Sequence, residues 1–598
     1  MIKRFCIPVI IAMLCQLSIA AASPELLFKV TSDRIYYDVS ETLRGTVNIE
    51  NSDTKPREIE IVAWLEADLD KKTDKQVKQI AIKPGDRAEV TFEWPNAALG
   101  LYGYALRCQL LENKQVIYAS TDYFTVCDNF WNVALMFGHP VAYTALYKRK
   151  QIIDRLTQLR GEFYNGFEKF FWAPDDFANM TPSEKVYYSG QARYYESVEN
   201  LKYMIGEGHR LGMRAITYGK NMGGGTAGAA FARAHPEMVY IKDGRLRIEA
   251  KVRDLHYWDA EKNWAGKEGF RWQSTNWVFY NMNRPEVIDY GSDEIARSAT
   301  IFKWDGVRFD GHFAAQSKWQ DITGKVHQLT PDETDALTAS NIRRMKQRIR
   351  KTHPKFVFGY NYLHDGAANR LASGSREFAE LCRDGGHIMN EYAGQAKDVN
   401  HPWHRWEDWV QGITDDAQMV KRFGGHYFPI LHYRGVDLWY TNAVTYAAGA
   451  HPYYNHVWGA FATRYAGILW DRQLRRINNP AGVVVAPLNL WWRRFVHQRS
   501  INERHTQVVV HLINPPIKPA IHNDAKDDTF PKPVRNIPVQ FYPEAIDGGR
   551  WKLTRARLLD PDNVTQTNLT IHDDHGTATV TVPELRIWQV LVFDLEAR

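Results

Sequence analysis

From about Trp131 to Gln473 the chain alternates short apolar runs with helical stretches, and this rhythm constrains the fold more than any other feature. Alternation of that kind is the signature of parallel β/α units. Eight runs read as strands: Val133–Gly138, Lys169–Ala173, Met213–Tyr218, Gly306–Asp310, Phe356–Tyr360, His387–Glu391, His426–Leu431 and His451–Tyr454. Helical patterns such as Leu201–Leu211 and Thr334–Lys351 separate several of them. Eight strands over about 340 residues predict a (β/α)8 barrel, whose functional residues stand at the C-terminal strand ends. The Trp-rich stretch from Asp254 to Gln273 reads as a long loop between strands three and four.

The flanks have another pattern. From Pro24 to Val126 short alternating runs such as Leu43–Ile49 and Glu58–Trp64 are broken by turn clusters, which predicts an immunoglobulin-like β-sandwich. After Val483 strand patterns return, as in Val508–Ile513, Ala578–Val582 and Trp588–Phe593, and predict a second sandwich. The expected organisation is a leader over 1–22, a sandwich over 24–127, the barrel over 128–480 and the last sandwich over 481–598. The leader is read from Lys3 and Arg4, the apolar core Val9 to Leu17 and the small residues Ala20-Ala21-Ala22-Ser23. Export to the periplasm or the exterior is therefore expected. No apolar run approaches the roughly 20 residues of a spanning helix. Without the leader, Cys108, Cys127 and Cys382 remain; Cys108 and Cys127 sit on neighbouring strands and either pair or stay as buried thiols. Three cysteines so far apart argue against a metal cluster, and no H-E-x-x-H pattern occurs. The net charge of +6 over 598 residues, with no basic run, disfavours nucleic acid as a partner. Oligomeric state is left open.

The chemistry is concentrated in Trp304-Asp305-Gly306-Val307-Arg308-Phe309-Asp310-Gly311-His312. Val307 and Phe309 alternate with Arg308 and Asp310, so a buried strand delivers one carboxylate to its C-terminal end. Arg308 should lie near a carboxylate, because an unpaired buried charge is too costly. A second such element, His387–Gly394, carries Glu391. Two carboxylates at strand ends are what cleavage of a glycosidic bond needs, one ionised and one protonated. Asp310, flanked by Arg308 and His312, fits the ionised nucleophile. Glu391, among Met389, Tyr392 and Ala393, fits the acid/base. Asp305 precedes its strand and reads as structural.

Further candidates for substrate contact are Trp172, Asp175 and Asp176 after strand two, Tyr360 and Asn361 at the end of strand five, and Asn390 beside Glu391. Trp403 after strand six is a possible stacking platform, and His432 after strand seven a weaker candidate. Asp175 and Asp176 serve equally well as sugar ligands or helix caps. Gly223-Gly224-Gly225 lacks the ending of a phosphate cradle and reads as a flexible loop bordering the site.

Together these residues resemble glycoside hydrolase family 66, the dextranases and cycloisomaltooligosaccharide glucanotransferases. Phe309-Asp310-Gly311 is similar to that family's strand-four nucleophile motif and Asn390-Glu391 to its strand-six acid/base segment. Ala447–His451 and Val510–Asn514 resemble its strand-eight run and the opening of its last sandwich. The resemblance implies a retaining enzyme on an α-glucan, with Asp310 as nucleophile and Glu391 as acid/base, needing neither metal nor organic cofactor. The chain departs from the family in Gly311-His312-Phe313-Ala314-Ala315-Gln316, where members continue with Trp and a further Asp. It also lacks the large barrel insertion of cyclising members. Another glycoside, such as an α-galactoside or amino-sugar polymer, stays open as substrate, as does a non-catalytic glycan-binding role.

Overall fold

Alternating burial builds the first domain. In the strand Leu43–Asn51, Leu43, Val47 and Ile49 are buried while Arg44 and Asn48 face solvent. This strand joins Leu26–Ser32 and Arg87–Trp94 in one antiparallel sheet. The facing sheet is built on Arg57–Ala67, Tyr102–Glu112 and Gln115–Cys127. Their inner faces enclose Ile59, Ile61, Leu106 and Phe124. These coordinates are a computed structural model, which describes residues 26–95, 99–190, 194–256, 270–311, 313–363, 375–478, 480–523, 529–574 and 576–598. The leader expected over 1–22 and His312 lie outside the described residues. Cys108 and Cys127 are both buried and free: Cys108 stands opposite Ser120, and Cys127 accepts a hydrogen bond from Asn132 at 3.5 Å.

The middle of the chain closes into an eight-stranded parallel barrel. Its strands are β1 (Met136–Gly138), β2 (Gly166–Lys169), β3 (Arg214–Lys220), β4 (Gly306–Asp310), β5 (Val357–Leu363), β6 (His387–Asn390), β7 (His426–Leu431) and β8 (Tyr453–Tyr454). β4 and β7 keep the bounds read from the sequence. β2 does not: it ends at Lys169, before the run Phe170–Ala173 that was expected to form it. Phe171 has φ +45°, outside the extended region, and the apolar run packs beyond the strand end instead.

Helices fill the outer layer. Val198–Arg210 starts at Ser197, whose hydroxyl accepts from the Asn200 N–H at 3.3 Å. Pro331–Arg350 begins one turn earlier than hydrophobic periodicity suggests, because Thr330 and Glu333 form a capping box with Pro331 at the first helical position. Between β3 and β4 the stretch expected as a loop begins and ends in an antiparallel pair, Ile248–His256 with Phe270–Phe279, and its middle, 257–269, lies outside the described residues.

The last domain stacks a six-stranded sheet on a four-stranded one, with Val508, Val510, Phe541, Val582 and Phe593 between them. All three parts meet at Arg499. This last-domain guanidinium, 4% exposed, donates to Asp68 of the first sandwich and to Asp471 after the barrel, both at 2.8 Å. Among the described residues, no helix is long and apolar enough to cross a membrane.

Candidate active site at the barrel mouth

Parallel pairing puts the ends of β3, β4 and β5 in register: Lys220 pairs with Asp310, and Asp310 with Asn361. Side chains alternate across a strand, so Tyr218, Lys220, Arg308, Asp310 and Asn361 share the interior face. Asp310 Oδ2 accepts from the Tyr218 hydroxyl at 2.6 Å and the Lys220 ammonium at 2.9 Å. Oδ1 accepts from the Asn361 amide at 3.1 Å, with Arg308 Nη1 at 3.8 Å. Burial opposes ionisation of Asp310, but Lys220, Arg308 and the Tyr218 hydroxyl overcome it and hold the carboxyl well below the usual carboxylate range.

Glu391 follows β6. The same Asn361 nitrogen that binds Asp310 also donates to Glu391 Oε2 at 2.8 Å. One NH2 group therefore bridges the two carboxylates. With its two N–H bonds about 120° apart, the bridged oxygens lie about 5 Å from each other, and in no geometry beyond about 6 Å. The amide must present nitrogen to this side, because its oxygen would face two acceptors. Glu391 is exposed at the mouth, not enclosed by Met389 and Ala393, which are fully buried. His432, also exposed, packs tilted against Tyr454 with ring centroids 4.4 Å apart. Burial and Lys397 lower its pKa, while Glu391 acts in the opposite sense.

Beneath Asp310 lies a third carboxylate that the sequence reading missed. Glu168 on β2 is wholly buried and takes Arg308 Nε at 3.1 Å and Nη2 at 2.8 Å, with the Tyr453 hydroxyl donating to Oε2. Burial raises its carboxyl to about 7 against the pull of Arg308. Tyr218 and Lys220 were missed too. The available signal was alternation: a strand that turns Tyr218 inward also turns Lys220 inward, two residues past the expected end.

Several sequence candidates point elsewhere. Tyr360 is buried on the outer face, stacked on Phe309 at 5.8 Å, because its neighbour Asn361 faces in. Asn390 likewise faces outward and donates to Asp416 at 3.0 Å and Tyr427 at 2.8 Å. Trp172 is fully buried against Phe302 and Trp304, its indole donating to Thr217 at 2.8 Å. Asp175 accepts four bonds: from the Phe177 and Ala178 N–H groups at 2.9 and 2.6 Å, from Gly224 N–H at 2.7 Å and from the Tyr280 hydroxyl at 3.1 Å. The glycine run is part of that clamp, not a loose loop. Met222–Gly224 pairs as a strand, and a Cβ on Gly223 would stand 1.9 Å from Asp175 Oδ2. Asp176 is buried beside the site, its carbonyl accepting from Lys220 N–H at 3.2 Å. Trp403 is half-buried, edge-on to Tyr392 at 5.3 Å, with its six-membered ring close against Gly412.

A cleft of about 540 Å³ opens at the opposite end of the barrel, next to Asp305. There Asp305 binds Arg214 at 2.9 Å, His209 at 2.8 Å and Ala215 N–H at 2.8 Å, which closes its charge and ties β3 to β4. That end of such barrels serves stability.

Fold and site together define a three-part (β/α)8-barrel protein with a bridged carboxylate pair at the C-terminal mouth. No protein-family model matches the chain, and no curated protein matches it. In fold it is similar to a cycloisomaltooligosaccharide glucanotransferase from Paenibacillus sp., complexed with cycloisomaltoheptaose. The TM-score is 0.69 at 12% identity, over 94% of this chain and 99% of that one. That enzyme is of the type named by the sequence resemblance, and the likeness is one of fold, running through all three parts. The α-amylase AmyB from Thermotoga neapolitana aligns with a TM-score of 0.41 at 10% identity, over 78% of this chain and 99% of that one, too little to argue from.

Proposed function

We propose that this protein is an exported retaining glycoside hydrolase acting on an α-linked glucan or a related oligosaccharide. The observation that carries the reading is the Asn361 bridge. Retaining enzymes hold their carboxyl groups about 5–5.5 Å apart, inverting ones about 6.5–9.5 Å. A single NH2 group spanning both carboxylates supports the shorter class.

In this reading Asp310, kept ionised by Lys220, Arg308 and Tyr218, attacks the anomeric carbon. Glu391 protonates the leaving glycosidic oxygen. Glu391 then takes a proton from water, which attacks the same carbon and releases Asp310. The exposure of Glu391 suits a group that must meet both a leaving sugar and incoming water. Asn361 orients both carboxylates. Asp176 and Arg308 shape the floor, while His432 and Trp403 offer contacts to the departing sugar. We assign Trp172, Asp175, Tyr360 and Asn390 to holding the barrel, not to substrate.

Product release from a panel of α-glucans, α-galactosides and amino-sugar polymers, with the anomer followed by NMR, tests this. The expected result is cleavage of an α-glucan with the α-anomer formed first, lost by about a thousandfold in Asp310→Asn. A first-formed β-anomer, or cleavage that survives the substitution, would refute it.

A further inference from the structure

Arg308 is shared between two carboxylates, and its better geometry goes to the one that cannot touch substrate. Nε donates to Glu168 Oε2 at 3.1 Å and Nη2 lies 2.8 Å from Oε1, while Nη1 stands 3.8 Å from Asp310 Oδ1. Phe170 and Tyr218 flank the guanidinium, their ring centroids 5.1 and 5.0 Å away. Glu168 has no exposed surface, whereas the Asp310 side chain is 25% exposed. A nucleophile must be ionised yet not held so tightly that its lone pair is withdrawn from the reaction. Two cations fully closed on Asp310 would stabilise the starting carboxylate more than the ester it becomes, and so raise the barrier.

We propose that Glu168 is a positioning residue that holds Arg308 back from Asp310, keeping the guanidinium near enough to ionise the nucleophile but not to pair with it. The inference rests on the hydrolase reading above. When the ester forms, an Asp310 oxygen bonds to the anomeric carbon and the carbon–leaving-group bond breaks with its electron pair. Asp310 thereby loses its charge, and Glu168 remains as the counter-charge of Arg308. Without Glu168 the buried guanidinium would have no anionic partner at that stage, a costly state.

Glu168→Gln preserves shape and removes the charge. The groups facing Glu168 are Arg308 and Asp310 from β4 and Tyr453 and Tyr454 from β8, while Tyr218 from β3 and His387 from β6 face its partner Arg308. Rates are therefore best compared at pH 8, where the native carboxylate is charged. The probe is 5-fluoro-α-glucosyl fluoride, which loses fluoride as Asp310 forms the ester, with labelling followed by intact mass.

Glu168→Gln should label Asp310 at least about tenfold more slowly than native and lower kcat by the same factor, with KM changed by less than about threefold. Tyr453→Phe, which removes a neutral donor from the same carboxylate, should stay within about threefold of native. If Glu168→Gln does not fold, Arg308→Lys serves instead: it keeps the charge, loses the fork, and should show the same slowing. Labelling and kcat within about twofold of native in Glu168→Gln, or in Arg308→Lys where that replaces it, would overturn the proposal. A native protein that neither labels at Asp310 nor cleaves any α-glucan would overturn the hydrolase reading itself, and this inference with it.

Discussion

Replacing Asn361 with Leu is the sharpest test of the bridged pair. The side chains are similar in size, but Leu cannot donate. Two hydrogen bonds to carboxylates disappear, at 3.1 Å to Asp310 and 2.8 Å to Glu391. At a separation of about 5 Å and an effective dielectric near 20, two carboxylates repel by about 3 kcal/mol. Hydrogen bonds to charged groups are worth about 1.5–3 kcal/mol each, so the bridge is strong enough to offset that repulsion. Its loss should let the carboxylates move apart or one take up a proton. Removing a single preorganised donor from an active site commonly costs about 10²–10³ in kcat, and the same range is expected here. Global stability should fall by no more than about 3 kcal/mol, since both carboxylates lose a donor but Asp310 keeps Tyr218 and Lys220 and Glu391 is open to water. Steady-state kinetics and thermal unfolding of the same preparation would separate the two effects. A kcat/KM within about threefold of native would refute the bridging role. Tyr360→Phe, one residue away and facing outward, should leave kcat/KM within about twofold and serves as the control.

Other perturbations give different signatures. Trp172→Ala should cost about 3–5 kcal/mol in chemical denaturation while leaving KM unchanged in protein that still folds; a raised KM would place the ring in the site. Arg499→Leu should destabilise by about 3–5 kcal/mol, because it leaves the mostly buried Asp68 and Asp471 carboxylates without their shared cation; unchanged unfolding would show that the junction contributes nothing. The melting temperature should pass through a maximum near pH 5. Asp68 and Asp310 are mostly buried, yet Arg499 for the first, and Lys220 and Arg308 for the second, depress them below the ordinary 3.8, so their stabilisation is present above that value and lost as pH falls from it through their lower folded values. Asp416 is raised to about 7 by burial, so its penalty grows as pH rises from about 4 towards 7. Calorimetry between pH 3 and 8 that showed a steady rise would contradict this balance.

What the sequence revealed, and what it hid, follows from the range over which each signal acts. The barrel was legible because strand and helix periodicities are local, and Asp310 because its strand alternates cleanly. Alternation also excludes Tyr360 and Asn390 once Asn361 and Glu391 face inward, so treating neighbours as joint candidates went too far. Trp172 and Asp175 were misplaced with β2, whose end is set by the left-handed backbone at Phe171, a feature composition does not signal. Glu168 was hidden for another reason. Its partners Arg308 and Tyr453 stand 140 and 285 residues away, and only barrel closure brings them together.

The Arg499 junction bears on how such a chain can be taken apart. A guanidinium rooted in the last sandwich, with one carboxylate from the first sandwich and one from the edge of the barrel, belongs to no single domain. The outer sandwiches are therefore not modules to be exchanged one at a time, since a graft at either end strands a charge in an interior built around three contributors. Inheritance at this junction is all or nothing: Asp68, Asp471 and Arg499 change together or stay together.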